Sequence, residues 1–414
     1  MRRALASLVF VAALLVPGPA EAHAPGDCRN PPAPGQPLPS NAPRDPTIAR
    51  LGLERAWDLS TGAGVTVAVV DSGVDGGQAK LQAALSPGFD YVPSATPPGF
   101  QRVPGGLGDC GDNGASHGTA VAGLIAARPG DDDRVVGVAP GAKVVPVRFL
   151  DGIDNAAPEM IAAAIRTGAE SGQVLNLSFA LPVDRPQIRE AIQYALSRNV
   201  VVVAAAGNES STGDTKWYPA AYPGVLAVAA LKQDGTPLAQ SNRGDWVGIA
   251  APGEGLTAPS SGGGFVGVSG TSFATALVSG VAALVRARFP NLSAADVVRR
   301  LTATAVPLGA AHDDRVGAGI VDPFAALSAR VASPAPSASA GAAPAGQVRV
   351  LPRPDAGGGI GERWGVLLGV FGILVLAALL AYLGRLALRA ARQRRAGPEA
   401  SAEPTDEPPD IHLA

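Results

Sequence analysis

Residues 173–208, QVLNLSFALPVDRPQIREAIQYALSRNVVVVAAAGN, alternate between apolar runs and an amphipathic stretch. An apolar run (173–180) is followed by an amphipathic helical stretch (185–199) and then by a valine-rich run (200–208). Two continuous apolar strands joined by a helix are typical of a parallel sheet that is covered on both faces. Similar alternation extends over residues 48–328, so we predict an α/β fold with a mainly parallel sheet flanked by helices.

The same patterns place further elements on either side of this unit. We predict strands at 64–71, 142–150 and 225–231, and helices at 48–60, 117–128, 157–172, 272–288 and 293–305. Ligands of open parallel sheets bind beyond the carboxyl ends of the strands. Asp71, Ser178 and Asn208 all fall at such ends, which predicts a site there.

Composition favours a large folded domain and gives no sign of nucleic-acid binding. The 414 residues are 47% hydrophobic and 16% charged, and the formal net charge is −2. The chain has two cysteines, Cys28 and Cys110. Both lie in the part predicted to be exported, where disulfides persist, so we predict one bridge between them; two free thiols are the alternative.

The two ends of the chain predict export and anchoring. Residues 1–24 resemble a signal peptide, with Arg2 and Arg3 before a short apolar run and a small-residue cleavage site; an uncleaved anchor is the alternative. Residues 364–383 carry no charge and are followed by five arginines. This pattern predicts a transmembrane helix at 363–384 with its arginine-rich end in the cytoplasm.

The predicted organisation therefore has six parts and a type I membrane topology, with the α/β domain outside the cytoplasm. They are a signal peptide (1–24), a proline-rich N-terminal arm (25–46), an α/β domain (47–330), a Pro/Ala-rich linker (331–362), the transmembrane helix (363–384) and a cytoplasmic tail (385–414).

Ser272, in the stretch GTSFATALVSGVAALV at 270–285, is either a helix N-cap or a nucleophile at a helix start. A nucleophile needs a base, and the chain has four histidines. His117 is the best candidate for this base. Of the other three histidines, His23 lies at the predicted cleavage site, His412 in the predicted tail, and His312 in a polar loop near the end of the α/β domain. Asp71 ends an apolar strand, where it either orients His117 or simply caps a turn.

The chain order Asp71, His117, Ser272 is the order found in subtilisin, and the G-T-S context differs from the G-x-S-x-G elbow of α/β-hydrolases. Four blocks resemble signatures of the subtilase family: VAVVDSGVD, HGTAVAGLIAA, VVVAAAGNES and SGTSFATALVSGVAALV. The resemblance implies a subtilisin-like fold and a serine peptidase that acts on proteins or peptides. It implies that Asp71 orients His117, which is base and then acid, while Ser272 attacks the scissile carbonyl.

Asn208 is a candidate oxyanion-hole residue, because a carboxamide that follows a strand and a glycine can donate a hydrogen bond to a developing oxyanion. A plain turn is the alternative for Asn208. The segment NLSFA at 176–180 resembles the groove-lining strand of subtilases, which implies substrate contacts for Ser178 and Phe179. Ala180 stands where family members often have glycine.

The short arm, the cysteine pair and the C-terminal anchor together resemble mycosins, the membrane-anchored subtilases of type VII secretion systems. That resemblance implies processing of exported proteins and contact with the secretion membrane complex. A scaffold for that complex and a degradative surface protease are the alternatives. We expect no cofactor and no metal site.

Overall fold

A computed structural model of the chain describes residues 32–111, 115–130, 133–149, 157–209, 215–309 and 313–331. All of them belong to the first of the two units into which the chain divides, Met1–Pro334. The predicted signal peptide (1–24), Cys28, most of the linker, the predicted transmembrane helix (363–384) and the tail lie outside the described residues. Within the described ranges, no helix has the length and apolar character needed to cross a membrane.

The domain is built on one eight-stranded sheet. Its strands are β1 (Thr66–Asp71), β2 (Gly88–Pro93), β3 (Phe100–Gly105), β4 (Lys143–Arg148), β5 (Val174–Leu177), β6 (Val201–Ala205), β7 (Leu226–Leu231) and β8 (Ile249–Pro252). They lie in the order β3-β2-β4-β1-β5-β6-β7-β8, and only the β2–β3 pair is antiparallel. The prediction of a mainly parallel sheet is confirmed.

Eight helices and a small ribbon complete the described fold. The helices are α1 (Pro46–Arg50), α2 (Leu53–Trp57), α3 (His117–Ala126), α4 (Pro158–Ser171), α5 (Pro186–Ser197), α6 (Thr271–Arg288), α7 (Ala294–Ala303) and α8 (Pro323–Ser328). Strands β9 (Leu256–Pro259) and β10 (Phe265–Val268) form a separate antiparallel ribbon.

Both faces of the sheet are buried, as continuous apolar strands require. Val67 and Val69 of β1 belong to a core that they share with α3 and α6. Ala68 and Val70 of the same strand belong to a second core, shared with α4 and α5. Alternate residues of one strand thus serve opposite faces.

Two details differ from the sequence prediction. The helix predicted at 48–60 is two short helices, because Gly52 adopts a left-handed conformation (φ 58°) that ends the first one. Strands β2, β3, β8, β9 and β10 and helix α8 were not predicted. Strands β8, β9 and β10 and helix α8 span only four to six residues, and polar residues interrupt the apolar pattern of β2 and β3.

The strand order places three carboxyl ends next to one another. Strands β1, β5 and β6 are adjacent and parallel, so Asp71, Ser178 and Asn208 follow neighbouring strands at one edge of the sheet. Helix α6 packs against these strands and begins at the same edge. This edge holds the candidate site.

Candidate active site

Asp71 and His117 form a close pair at the carboxyl end of β1. Nδ1 of His117 lies 2.7 Å from Oδ1 of Asp71, and the Asp71 side chain is only 5% exposed. The backbone N–H of Ser72 also donates to this oxygen, at 2.7 Å. His117 is the first residue of α3, so the start of that helix brings the imidazole to the strand end. The pair has the geometry of a carboxylate that orients a catalytic histidine.

Ser272 is the second residue of α6, and Gly270 occupies the N-cap position. The alternative that Ser272 is an N-cap is therefore wrong. The Ser272 hydroxyl donates to the Ser178 carbonyl at 2.9 Å. The ring of Phe273 lies 5.3 Å from that of His117, centroid to centroid, which brings the imidazole to the first turn of α6.

Asn208 is tied to the same turn. Its Oδ1 accepts hydrogen bonds from the backbone N–H of Thr271 at 3.0 Å and from the Thr271 hydroxyl at 3.2 Å. That hydroxyl in turn accepts from the N–H of Gly207 at 3.1 Å, so its own proton points to Asn208. With the carboxamide oxygen occupied, the NH2 group of this exposed side chain is directed away from Thr271 and can donate to a ligand.

The first turn of α6 is well suited to stabilising negative charge. The early N–H groups of a helix have no partner within the helix, and the positive end of its dipole lies there. Arg286 and Arg288 occupy the last turn of this 18-residue helix, where cations are favourable. The Ser272 N–H thus lacks a partner within the helix, and the Asn208 side chain is bonded to Thr271, the residue before Ser272.

Ser178 and Phe179 direct their side chains into the protein. The Ser178 hydroxyl donates to the Ser272 carbonyl at 2.9 Å and accepts from Asn176 at 2.8 Å. The Phe179 ring packs edge to face on Phe149, with centroids 5.4 Å apart. Any substrate contact of this segment would therefore be made mainly by its backbone, and the predicted role of both residues stays a prediction.

Cys110 lies on the loop that precedes His117 and is 7% exposed. The guanidinium of Arg148 donates to its sulfur at 2.8 Å and also binds the carboxylate of Asp90. Since Cys28 lies outside the described residues, the Cys28–Cys110 bridge stays a prediction.

The described part of the arm is ordered along the β9–β10 ribbon. Gln36 and Phe265 exchange two backbone hydrogen bonds, at 2.9 and 2.8 Å, and the N–H of Gly35 donates to Gly263. Further on, Asp45 caps α1 and accepts from the N–H of Thr257 at 3.3 Å. The arm therefore extends the ribbon and packs on the domain.

Sequence analysis did not identify three residues that help to shape the site. Asn176 forms hydrogen bonds with the hydroxyls of both Ser178 and Ser279. A polar residue within an otherwise apolar strand is the sequence feature that could have identified it. Gly118 permits close approach to Gly73. The third residue, Asp109, is a buried carboxylate in a glycine-rich loop without a recognisable pattern. Among the described residues, no group of three or more His, Cys, Asp or Glu is arranged to hold a metal ion.

A family model and several known proteins match this chain. The model of the subtilase family matches residues 62–319. Mycosin-1 of Mycobacterium tuberculosis is 36% identical, over 86% of this chain and 88% of its own. The crystal structure of MycP1 from Mycobacterium smegmatis matches with a TM-score of 0.63 and 32% identity, covering 80% of this chain and 95% of that one. The MycP3 protease from the type VII (ESX-3) secretion system matches with a TM-score of 0.60 and 34% identity, over 75% and 97%.

Proposed function

This chain belongs to the subtilase family of serine peptidases, and we propose that it is a membrane-anchored endopeptidase that processes proteins exported by a type VII secretion system. The observation that carries the catalytic part is the 2.7 Å contact between Asp71 and His117, placed next to the helix turn that bears Ser272. In this function Asp71 is the orienting group, His117 is the base and Ser272 is the nucleophile.

In the proposed reaction, the Ser272 hydroxyl turns from the Ser178 carbonyl to Nε2 of His117, which takes its proton as the serine oxygen attacks the scissile carbonyl. Asp71 accepts the Nδ1–H bond throughout, which fixes the tautomer and stabilises the imidazolium as it forms. The imidazolium then gives its proton to the leaving amine, and the acyl-enzyme is hydrolysed by the same steps with water as the nucleophile.

The developing oxyanion lies within reach of two donors, the Nδ2 group of Asn208 and the backbone N–H of Ser272. Both are held in place before the substrate binds, since Thr271 anchors the Asn208 oxygen and α6 fixes the peptide of Ser272. Preorganised donors of this kind stabilise the transition state without reorganising during the reaction.

The cellular part of the proposal is supported by the sequence ends and by the relatives. The uncharged segment 364–383 with arginines behind it favours one membrane span and an exported domain. One of the similar solved structures is described as a protease from a type VII secretion system. An enzyme that is anchored in the membrane acts on proteins that are exported beside it, which favours limited processing of a few substrates.

The test is complementation of a strain that lacks this chain, with the wild-type chain or with Ser272→Ala. We expect the wild type to restore both export and cleavage of the exported proteins, whereas Ser272→Ala leaves them uncleaved. Full cleavage with Ser272→Ala would reject the peptidase role. Export that depends on the chain but not on Ser272, with no substrate cleaved by the wild type, would favour the scaffold role.

A further inference from the structure

Asp109 is a buried carboxylate outside the proposed triad, and only 3% of the residue is exposed. Each of its oxygens accepts two hydrogen bonds. Oδ1 accepts from the Ser72 hydroxyl and the Gly111 N–H, both at 2.8 Å, and Oδ2 accepts from the Ser116 hydroxyl at 3.0 Å and the Thr119 N–H at 2.9 Å. An ionised carboxylate has about four acceptor sites, and here four donors fill them.

These donors surround the Asp71–His117 pair from both sides. Ser72 directly follows Asp71, Ser116 is the N-cap residue directly before His117, and Thr119 lies in the first turn of α3. The N–H of Gly118 also donates to the Ser72 hydroxyl, at 3.0 Å. A single carboxylate thus connects the end of β1 to the start of α3.

The Ser72 hydroxyl has one proton and two carboxylates to donate it to. Oδ1 of Asp109 lies at 2.8 Å and Oδ1 of Asp71 at 3.2 Å, so the shorter contact draws the proton to Asp109. This leaves Oδ1 of Asp71 to accept mainly from the imidazole and from the Ser72 N–H. Without the Asp109 charge, the hydroxyl would turn to Asp71 and compete with His117 for the same oxygen.

The other charged groups near the pair are already engaged. Arg148 is the β4 neighbour of Asp71, and its guanidinium forms a two-pronged ion pair with Asp90 while contacting Cys110. The carboxylate of Asp75 accepts from backbone N–H groups of Gly77 and Gly262. Among the residues that the structure describes, the negative charge best placed to act on the Asp71–His117 pair is therefore that of Asp109.

We propose that Asp109 is a positioning residue: through Ser72 and the start of α3 it holds Asp71 and His117 together and keeps the Ser72 proton away from the catalytic carboxylate. The inference rests on the proposed triad. Asp109 touches neither the substrate nor the reacting atoms in this account, and its effect on the reaction passes through Asp71.

The test begins with Asp109→Asn in the full-length chain. We expect kcat to fall roughly tenfold or more with little change in KM, because the imidazolium of the transition state loses support while substrate binding does not. The acid limb of the kcat/KM profile should move to lower pH, since loss of a nearby negative charge favours the neutral, active imidazole. An unchanged acid limb and kcat in the folded variant would overturn the proposal.

A second comparison separates positioning from general stability. Ser72→Ala and Ser116→Ala each remove one hydroxyl from Asp109, but only Ser72 also contacts Asp71. We expect Ser72→Ala to lower kcat clearly more than Ser116→Ala does, because only Ser72 connects Asp109 directly to Asp71; equal effects would contradict the proposal. This comparison tests the positioning role of Asp109 even if the Asp109→Asn variant does not fold.

The double variant Asp109→Asn/Ser72→Ala gives the sharpest prediction. It should be no less active than Asp109→Asn alone, because the competing hydroxyl is gone; multiplied losses would contradict the proposal. Asp45→Asn is the matched control, since Asp45 is also a buried carboxylate that caps a helix but lies away from the triad, and its kcat should not change. Ser272→Ala is run alongside: if it stays active, the triad itself is wrong, whereas an inactive Ser272→Ala with normal Asp109→Asn refutes only this inference.

Discussion

Ser272 and Ser178 are joined by two reciprocal hydrogen bonds. The Ser272 hydroxyl donates to the Ser178 carbonyl, and the Ser178 hydroxyl donates to the Ser272 carbonyl, each at 2.9 Å. One of the two bonds uses only the backbone of Ser272. The turn that bears the proposed nucleophile is therefore held to the end of β5 even when the Ser272 side chain is removed.

Ser272→Ala should abolish peptide hydrolysis, with a loss on the order of 10⁶-fold in kcat, and leave the fold intact. The reason is that the nucleophile is lost while the Ser178–carbonyl bond remains. Hydrolysis of a peptide substrate and the melting temperature measure the two effects. Ser279→Ala is a matched control on the same helix: losing its bond to Asn176 should cost about 1–3 kcal/mol of stability but keep activity. Peptidase activity in purified Ser272→Ala would refute the assignment.

Asn208→Ala should lower kcat by roughly 10²–10³-fold with a small change in KM, the size of effect measured for an oxyanion-hole amide in subtilisin. The amide donates to charge that develops only in the transition state, so ground-state binding does not depend on it. Steady-state kinetics on the folded variant check this. A normal kcat would mean that Asn208 only anchors the turn through Thr271.

Gly118→Ala should destabilise the domain by about 1–3 kcal/mol or more and reduce activity. A Cβ at position 118 would lie 2.0 Å from the carbonyl oxygen of Gly73 and 3.1 Å from Oδ1 of Asp71, so it would push α3 away from β1. Thermal unfolding and peptide hydrolysis are the measurements. Gly267→Ala is the control, because a Cβ there meets nothing within 4 Å; equal effects of the two substitutions would contradict this packing argument.

The sequence predicted the layout of the fold because its central strands are continuous apolar runs that only a doubly covered sheet can bury. Asp71, His117 and Asn208 were identified because each side chain follows a strand end or opens a helix in a recognisable block. Asp109 was not, since its role depends on Ser72, 37 residues away along the chain, and on an irregular loop that brings Asp109 to the start of α3. Strands β2 and β3 were not predicted either. Exposed residues in β3 interrupt its apolar pattern, so the sequence does not indicate that it pairs with β2.

Cys28 and Cys110 should form a disulfide that ties the arm to the loop before His117. The bond would close a loop of about 80 residues, for which chain entropy gives a stabilisation of roughly 4–5 kcal/mol. Peptide mapping by mass spectrometry, without reduction, should recover the linked pair from the exported domain. Two thiols that react with an alkylating agent in the folded protein would contradict the bridge.

The arm should remain attached in the active enzyme. Gly35, Gln36 and Asp45 hold it to the ribbon and to α1 by backbone and capping contacts, and its prolines prevent it from forming a folded inhibitory domain. A protein that begins at residue 25 should hydrolyse substrate at full rate from the start while its N-terminus stays intact. Activity that appears only as the arm is cut would show that the arm is an inhibitor.

Ser272 should react as a nucleophile that His117 and Asp71 activate. Labelling of the full-length protein with a fluorophosphonate, followed by identification of the modified residue by mass spectrometry, tests this assignment. We expect one label per chain, on Ser272, with labelling lost in Ser272→Ala and strongly slowed in His117→Ala. Labelling of another serine, or undiminished labelling of Ser272→Ala, would contradict the account.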